Sequence, residues 1–340
     1  MQRALIFALI FLLSACGKEQ LYQEQGFVFG TLVDVSIYGE AESNAKQAVA
    51  EVMQEFQRLH TMLHAWQPSE LSEANAAFAQ GDSIAVSAEL AAMLQDATKI
   101  SQQSQSLFNP AIGGLIALWG FHADEFKAVQ PDETKIAEWV KANPQMSDLS
   151  IVRGRVQSKN TSVQLDLGGY AKGYALDKAV EILRKRGIHN ALVNIGGNVI
   201  ALGQHGKRAW RVGIQHPRKS GALASLDLRD SEAIGTSGDY QRYFMVGNVR
   251  YCHLINPRSG YPMQGVQAVT ILTRGAHAGV LSDAASKPLF ISGAHGWRAA
   301  ATQMNLPEAM LVDAQGIIHL TAALQKRIEF TDKRIHPQIE

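Results

Sequence analysis

The stretch LDLGGYAKGY, residues 165–174, decides how this chain is interpreted, because a strand pattern passes through paired glycines into a helix start. Glycines let a backbone approach a ligand closely, and the free amides of a helix N-terminus attract negative charge. Lys172 adds a positive charge inside the first turn. The spacing is neither G-x-G-x-x-G nor a Walker A loop. The stretch therefore predicts a phosphate site of another kind, with an ordinary strand-to-helix turn as the alternative.

The composition is that of a soluble globular protein. Of the 340 residues, 46% are hydrophobic and 19% charged, enough for one large domain or two closely packed lobes. The net charge is +1 and the signs alternate along the chain, which argues against nucleic acid as a partner.

The N-terminus predicts export. Residues 1–15 read as a signal peptide, with Arg3 ahead of an apolar run of about ten residues that is too short to span a bilayer. The sequence LSACG, residues 13–17, resembles a bacterial lipobox, in which Cys16 is lipidated. A plain signal peptide cut after Ala15 is the alternative.

Lipidation at Cys16 would anchor the folded part on the periplasmic side of a bacterial membrane through a polar tether over residues 16–25. Gly17 leaves the choice between the inner and outer membrane open. Cys252 then has no partner, so neither a disulfide framework nor a thiolate metal site is expected, and Cys252 is predicted to be a buried residue in a strand.

The remaining pattern predicts an α+β fold in which helices are segregated from several short antiparallel strands. One folded domain is expected over residues 26–330, followed by a tail over 331–340. Helices are predicted from about Ala45, from Ser87 to Ile100, over 170–186 and over 277–291. The predicted strands cover residues 27–38, 163–167, 191–195, 210–214, 222–228, 250–255, 266–272 and 310–313.

Four polar, glycine-bearing segments fall at predicted strand ends, and their convergence would build one pocket. They are residues 166–173, 194–198, 236–240 and 253–260. Hydrogen bonds can come from Asn194, Thr236 and Ser237, and acceptors for a heterocycle or ribose from Asp166 and Asp239. Each residue alone is more typical of a turn or cap, so only the combination indicates a site.

Two further side chains suit phosphate chemistry. His253 stands at a strand end before a proline turn, where an imidazole with a pKa of about 6.5 can act as a general base, although a lone histidine is more often structural. Asp283 is the best acidic candidate for a hard cation, with a helix-surface carboxylate as the alternative.

Together these motifs resemble the ApbE family of FAD:protein FMN transferases. The resemblance runs from Gly30 to about Asp313, and it rests on the order of several weak motifs. They are SELS (69–72) with Asn75, the segment 108–121, LDLGGYAKGYALD (165–177), NIGGN (194–198), TSGDY (236–240), HLINPRSG (253–260) and the segment 282–293.

The resemblance implies an ApbE-like mixed fold that binds FAD between two closely packed lobes. It also implies Mg²⁺-dependent cleavage of the FAD diphosphate and transfer of FMN to a threonine or serine hydroxyl of an extracytoplasmic acceptor. AMP would leave. The acceptor would be a subunit of a redox complex.

The family's residue roles carry over by motif. Asp166 and Lys172 would contact FAD, the Gly169 carbonyl and the Asp283 carboxylate would hold Mg²⁺, and His253 would deprotonate the acceptor hydroxyl. The flavin or adenine would be lined by Phe29, Trp66, Leu107, Phe108 and Asn109, and the rest of the pocket by Asn194, Gly196, Gly197, Thr236, Ser237 and Asp239.

One position departs from the family pattern. Four residues after Asp283 the family has threonine as a further metal ligand, and this chain has Lys287. An ammonium has no lone pair to give a cation and would instead repel Mg²⁺ and pair with Asp283. Two alternatives to the transferase follow: an FAD-binding protein without transferase activity, in which Lys287 replaces the metal, and an FAD pyrophosphatase that needs no acceptor.

Overall fold

The computed structural model describes residues 20–123 and 125–340. Cys16 and the predicted signal peptide lie outside these ranges. No helix in the described ranges combines the length and the apolar character that crossing a bilayer requires.

The described chain contains seventeen strands and nine α-helices. The strands are β1 (Leu21–Val28), β2 (Thr31–Tyr38), β3 (Ser83–Ala85), β4 (Leu149–Val152), β5 (Arg155–Ser158), β6 (Ala191–Ile195), β7 (Asn198–Leu202), β8 (Trp210–Gln215), β9 (Ala222–Leu228), β10 (Glu232–Gly238), β11 (Tyr243–Val246), β12 (Val249–Cys252), β13 (Val266–Arg274), β14 (Ala309–Asp313), β15 (Ile318–Leu320), β16 (Ile328–Phe330) and β17 (Gln338–Ile339). The helices are α1 (Glu42–Met62), α2 (Glu70–Gln80), α3 (Ala88–Gln103), α4 (Gly113–Leu118), α5 (Glu133–Ala142), α6 (Ala171–Lys185), α7 (Ala278–Ala284), α8 (Ser286–Gln303) and α9 (Ala322–Gln325).

A nine-stranded sheet in the order β1-β2-β6-β7-β10-β13-β14-β15-β17 organises the molecule. Its pairings are antiparallel except between β15 and β17. Alternate residues of each strand point to opposite faces, so the sheet contributes to more than one core. In β6, Val193 faces the core shared with α1 and α6, while Leu192 packs against the core formed by the smaller sheet β16-β9-β8. The predicted α+β class is therefore confirmed.

Helices α2 and α3 and the small sheet β3-β5-β4 extend the core that the large sheet shares with α1 and α6. Both helices begin at serine caps. The Ser69 hydroxyl accepts a hydrogen bond from the Ser72 amide at 2.9 Å, and the Ser87 hydroxyl accepts one from the Leu90 amide at 3.1 Å. Ser87 was predicted as a cap, whereas the run after Ser69 was expected to be a loop and is instead helix α2.

The single strand predicted over residues 27–38 is a hairpin, because Val28 pairs with Thr31 across a two-residue turn. The turn residues Phe29 and Gly30 both have positive φ, 56° and 69°, as a hairpin turn that follows the strand twist requires. The hairpin was missed because Phe29 is a poor signal for a left-handed position.

The predicted strand over residues 163–167 does not join a sheet. It lies beside the loop before α4, where the Asp166 amide donates to the Pro110 carbonyl at 2.8 Å. A side chain completes the pairing: Asn75 accepts from the Leu165 amide at 2.6 Å and donates to its carbonyl at 2.9 Å. The backbone is satisfied without a neighbouring strand, which no periodicity in the sequence can indicate.

The ends of the domain also differ from expectation. Strand β1 begins at Leu21, inside the predicted tether over 16–25, and pairs with β2 along its whole length. The predicted tail over 331–340 returns to the sheet as β17, beside β15. Cys252 is fully buried in β12, as predicted, and burial raises the pKa of its thiol to about 12.

Candidate active site

The N-terminus of α6 is built around a close approach of two helices. A Cβ added to Gly173 would lie 2.3 Å from the Gly279 carbonyl oxygen and 2.8 Å from the Asp283 Cβ, so only glycine allows α6 and α7 to meet here. The approach brings Asp283 to the first turn of α6, where its carboxylate accepts a hydrogen bond from the Gly173 amide at 3.1 Å. Asp283 thus caps α6 from a neighbouring helix, because the side chain of Tyr170, at the N-cap position, makes no capping hydrogen bond.

Two lysines meet this buried carboxylate. Lys287 forms a short ion pair with Asp283 and also donates to the Asp283 carbonyl at 2.7 Å. The Lys172 ammonium lies 3.7 Å from the carboxylate and donates to the Gly168 carbonyl at 3.2 Å. Burial by itself would raise the pKa of Asp283, but the charges of Lys172 and Lys287 outweigh burial and hold that pKa at about 2.

Lys287 is itself largely buried, with 14% of its side chain exposed. Burial lowers the pKa of its ammonium to about 8, although Asp283 opposes the shift. The side chain lies over Gly169, where an added Cβ would be 3.2 Å from the Lys287 Cε.

These residues do not fit the Mg²⁺ site that the resemblance implies. The Asp283 carboxylate is already paired with two ammonium groups, and Lys287 lies against Gly169, the other expected oxygen donor. Lysine cannot act as the third ligand. Within residues 20–123 and 125–340, no cluster of three or more His, Cys, Asp or Glu side chains is placed to bind a metal ion.

His253 lies near the two lysines at the end of β12. Its Nδ1 is 3.3 Å from the Arg242 carbonyl oxygen, and its ring contacts Phe121 edge-on. Burial, followed by the charges of Arg242, Lys172 and Lys287, lowers the pKa of His253 to about 3. The imidazole is therefore neutral near pH 7. A proton on Nδ1, donated to the Arg242 carbonyl, leaves Nε2 free to accept another.

The glycine-rich stretch over residues 165–174 contains one local turn. The Asp166 carboxylate accepts a hydrogen bond from the Gly168 amide at 2.7 Å, which fixes the backbone just before α6. Ser237 is connected to the same centre, because its hydroxyl is 2.7 Å from that of Ser286, which donates to the Asp283 carbonyl. Thr236 instead pairs with Thr270 at 2.9 Å.

Gly196 and Gly197 form the two-residue turn between β6 and β7, with φ of 58° and 92°. Asn194 supports this turn by accepting from the Gly197 amide at 2.9 Å, and it donates to Asp34 at 3.1 Å. The residues predicted here as contacts of the coenzyme thus have a structural use, and their role toward FAD stays a prediction.

The residues predicted to line the rings are divided between half-buried and buried positions. Trp66 is half-buried and contacts His122 at 5.3 Å between ring centroids, while Phe29 packs on Phe56 at 6.1 Å. Leu107 lines a shallow cavity that also includes Pro288. Two residues of the predicted set are instead buried in structural roles: Phe108 in the core, and Asn109, whose amide donates to the Pro144 carbonyl at 2.9 Å.

Asp239 is committed to an ion-pair network. The Arg218 guanidinium donates hydrogen bonds to both carboxylate oxygens, at 2.7 and 2.6 Å, and the Arg250 guanidinium lies 3.3 Å from one of them. Acceptance of a hydrogen bond from FAD, as the sequence predicted, would compete with this bidentate pair.

Sequence reasoning missed Asp177 and Arg242. Asp177 accepts hydrogen bonds from the Gly279 and Val280 amides at 2.7 and 2.9 Å and so holds α7 against α6, and burial raises its pKa to about 6. Its position four residues after Gly173 on the same helix face was the available signal. Arg242 follows the TSGDY motif closely and turns its backbone carbonyl toward His253.

Comparison with known proteins agrees with the motif order. The model of the ApbE family matches residues 29–311. An FAD:protein FMN transferase of Rhodobacter capsulatus is 41% identical over 306 residues, which are 90% of this chain and 58% of that relative. An FAD:protein FMN transferase of Treponema pallidum is 29% identical over 94% of this chain and 93% of that relative. The chain thus spans less than two thirds of the Rhodobacter protein.

Solved structures share the fold. The ApbE protein of Thermotoga maritima superposes with a TM-score of 0.83 at 28% identity, over 90% of this chain and 99% of that one. The flavin transferase ApbE of Vibrio cholerae superposes with a TM-score of 0.79 at 23% identity, over 91% of this chain and all of that one, and supports the fold alone. With the family model matched over most of its length, the chain belongs to the ApbE family.

Proposed function

We propose that this protein transfers FMN from FAD to a hydroxyl group of an acceptor protein and releases AMP. The family and the names of the relatives support flavin transfer. The observation that carries the proposal is the meeting of Lys172, Lys287 and a neutral His253 at the N-terminus of α6. Two ammonium groups and a helix N-terminus attract a diphosphate. The negative charge of a bound diphosphate would offset the lysine charges that lower the pKa of His253, so that the neutral imidazole can take a proton.

The reaction follows from these groups. The oxygen of the acceptor hydroxyl forms a bond to the phosphorus of the FMN half, and the bond from that phosphorus to the bridging oxygen breaks. AMP leaves with the bridging oxygen, and Nε2 of His253 takes the hydroxyl proton. Phosphoryl transfer needs chiefly positioning and charge neutralisation, which the two lysines and the dipole of α6 supply.

The acceptor and the location complete the proposal. The hydroxyl belongs to a threonine or serine of an extracytoplasmic redox-complex subunit, and Cys16 carries the lipid that holds the enzyme at the periplasmic side of the membrane. Mg²⁺, expected from the resemblance, has no part in this scheme because the residues around Asp283 do not fit it.

The test uses the full chain, FAD and a membrane fraction from cells that lack this protein. In-gel flavin fluorescence follows the labelled acceptor, and chromatography follows AMP. We expect both products from the wild type. His253→Ala should lower transfer by roughly 10²- to 10⁴-fold while FAD binding persists. His295→Ala, on an exposed part of α8, is the matched control and should behave as wild type.

The same assay separates the two alternatives. Tight FAD binding with neither labelled protein nor AMP would support an FAD-binding protein without transferase activity, which the existing pair of Lys287 with Asp283 favours. Release of AMP without labelled protein would support an FAD pyrophosphatase. Either result would refute the proposed transfer.

A further inference from the structure

Lys287 occupies the centre of the site. It stands one helical turn after Asp283, with its ammonium on the carboxylate and on the carbonyl of the same residue. Its stem covers Gly169, and its charge is among those that lower the pKa of His253. The side chain thus contacts Asp283 and lies against Gly169, the two residues expected to hold the metal, and it is close to the proposed base.

The local charge supports the replacement of a divalent cation by Lys287. Asp283 contributes −1, and Lys172 and Lys287 contribute +1 each, so the centre carries a net charge of +1 without a metal. The amides at the start of α6 add further positive potential. A diphosphate with two negative charges would therefore meet a cationic site, and a divalent cation would meet an ammonium already in place.

We infer that Lys287 takes the place of the divalent cation, so that FAD binding and cleavage in this protein are independent of Mg²⁺. The cleavage part of this inference rests on the proposed function, while the binding part does not. The ammonium faces the diphosphate, neutralises the charge that develops on its oxygens as the bridging bond breaks, and is not consumed. The bonds formed and broken are those given above.

The first experiment measures FAD binding to the full-length wild-type protein by calorimetry, with EDTA or with millimolar MgCl₂. We expect the same affinity within about twofold under both conditions. A loss of tenfold or more in EDTA would overturn the inference. AMP release, where it occurs, should be equally insensitive to the chelator.

The second experiment restores the family residue. Lys287→Thr should bind FAD roughly tenfold to a hundredfold more weakly in EDTA, the usual range for losing one charged hydrogen-bond donor, and should recover with MgCl₂. Lys287→Met should weaken binding without recovery, and Lys287→Arg should retain binding in EDTA. Unchanged binding by Lys287→Met in EDTA would overturn the inference.

Failure of the inference and failure of the proposed function have different signatures. A protein that binds FAD independently of Mg²⁺ but labels no acceptor would retain the charge replacement and lose the transferase. A protein that labels its acceptor only when MgCl₂ is present would retain the transferase and lose the charge replacement. Circular dichroism at each temperature used tests whether each variant is folded. If a variant is not folded, the comparison of the wild type in EDTA and in MgCl₂ decides alone.

Discussion

Two carboxylates in this protein each meet two cations, with opposite consequences. Asp239 is gripped by Arg218 through two parallel hydrogen bonds and is approached by Arg250. Asp283 meets Lys172 and Lys287. Both aspartates were predicted from the sequence to lie at the site, Asp239 toward the coenzyme and Asp283 toward a metal.

The difference lies in the shape of the cations and in the backbone beside them. A planar guanidinium matches both carboxylate oxygens and leaves little for a ligand, whereas an ammonium is a point charge with further donors. The Asp283 carboxylate also reaches from α7 to the start of α6, where the glycine-rich stretch exposes backbone at Gly168. An excess of positive charge beside a helix N-terminus favours an anionic ligand, whereas the arginine fork leaves Asp239 little capacity for one, and breaking that pair destabilises the fold.

The largest effect should come from filling the helix contact that creates the Asp283 centre. Gly173→Ala forces a Cβ against the backbone of α7, and overpacking of this kind should lower the free energy of unfolding by about 3 kcal/mol. Gly296→Ala is the control, because its added Cβ meets only the Ser292 side chain, at 3.1 Å from the Ser292 Cβ. Urea denaturation of both variants measures the difference. Equal stabilities would mean that the helices can separate at little cost.

The next effect is a change in FAD affinity that distinguishes the Asp283 centre from the Asp239 centre. Lys172→Met should weaken FAD binding roughly tenfold or more, because it removes one charged donor at the start of α6. Arg218→Met, a comparable loss of a cation at the other centre, should leave the affinity unchanged. Calorimetry with FAD measures both. A loss of affinity in Arg218→Met alone would reverse the roles assigned here.

The third effect concerns stability at the arginine centre. Asp239→Asn should lower the free energy of unfolding by about 1.5 kcal/mol, less than the roughly 3–5 kcal/mol of a fully buried pair, because Arg218 is 34% exposed and can hydrate. FAD affinity should not change. If affinity falls while stability holds, Asp239 contacts the coenzyme as the sequence predicted.

The smallest effect is a pH dependence at His253, which lies close to the lysines. In the folded protein the pKa of His253 is about 3, against about 6.5 when unfolded, so between these values the unfolded chain binds the extra proton. Acidification from pH 7 to 5.5 should therefore cost about 1 kcal/mol of stability through this group. His253→Gln should remove that part of the pH dependence, as measured by urea denaturation. His295→Gln should keep it, and an unchanged slope in His253→Gln would show that another group is responsible.

Local patterns fixed a large part of the fold. The cap at Ser87, the periodicity of α1 and α6, and the apolar strand over 191–195 are encoded by neighbours in sequence, so they were predicted near their observed bounds. The order of the motifs fixed the family, since several weak motifs in one order are specific together.

Tertiary structure decided what those residues contact. Asn75 completes the backbone pairing of Leu165 from 90 residues away, and the Gly173 amide meets Asp283 across 110 residues. The sequence placed both Asp239 and Asp283 at the site, and only the folded chain gave one an arginine fork and the other two ammonium groups. Such partners are set by helix and strand packing between distant segments, which leaves no periodic trace in either segment alone.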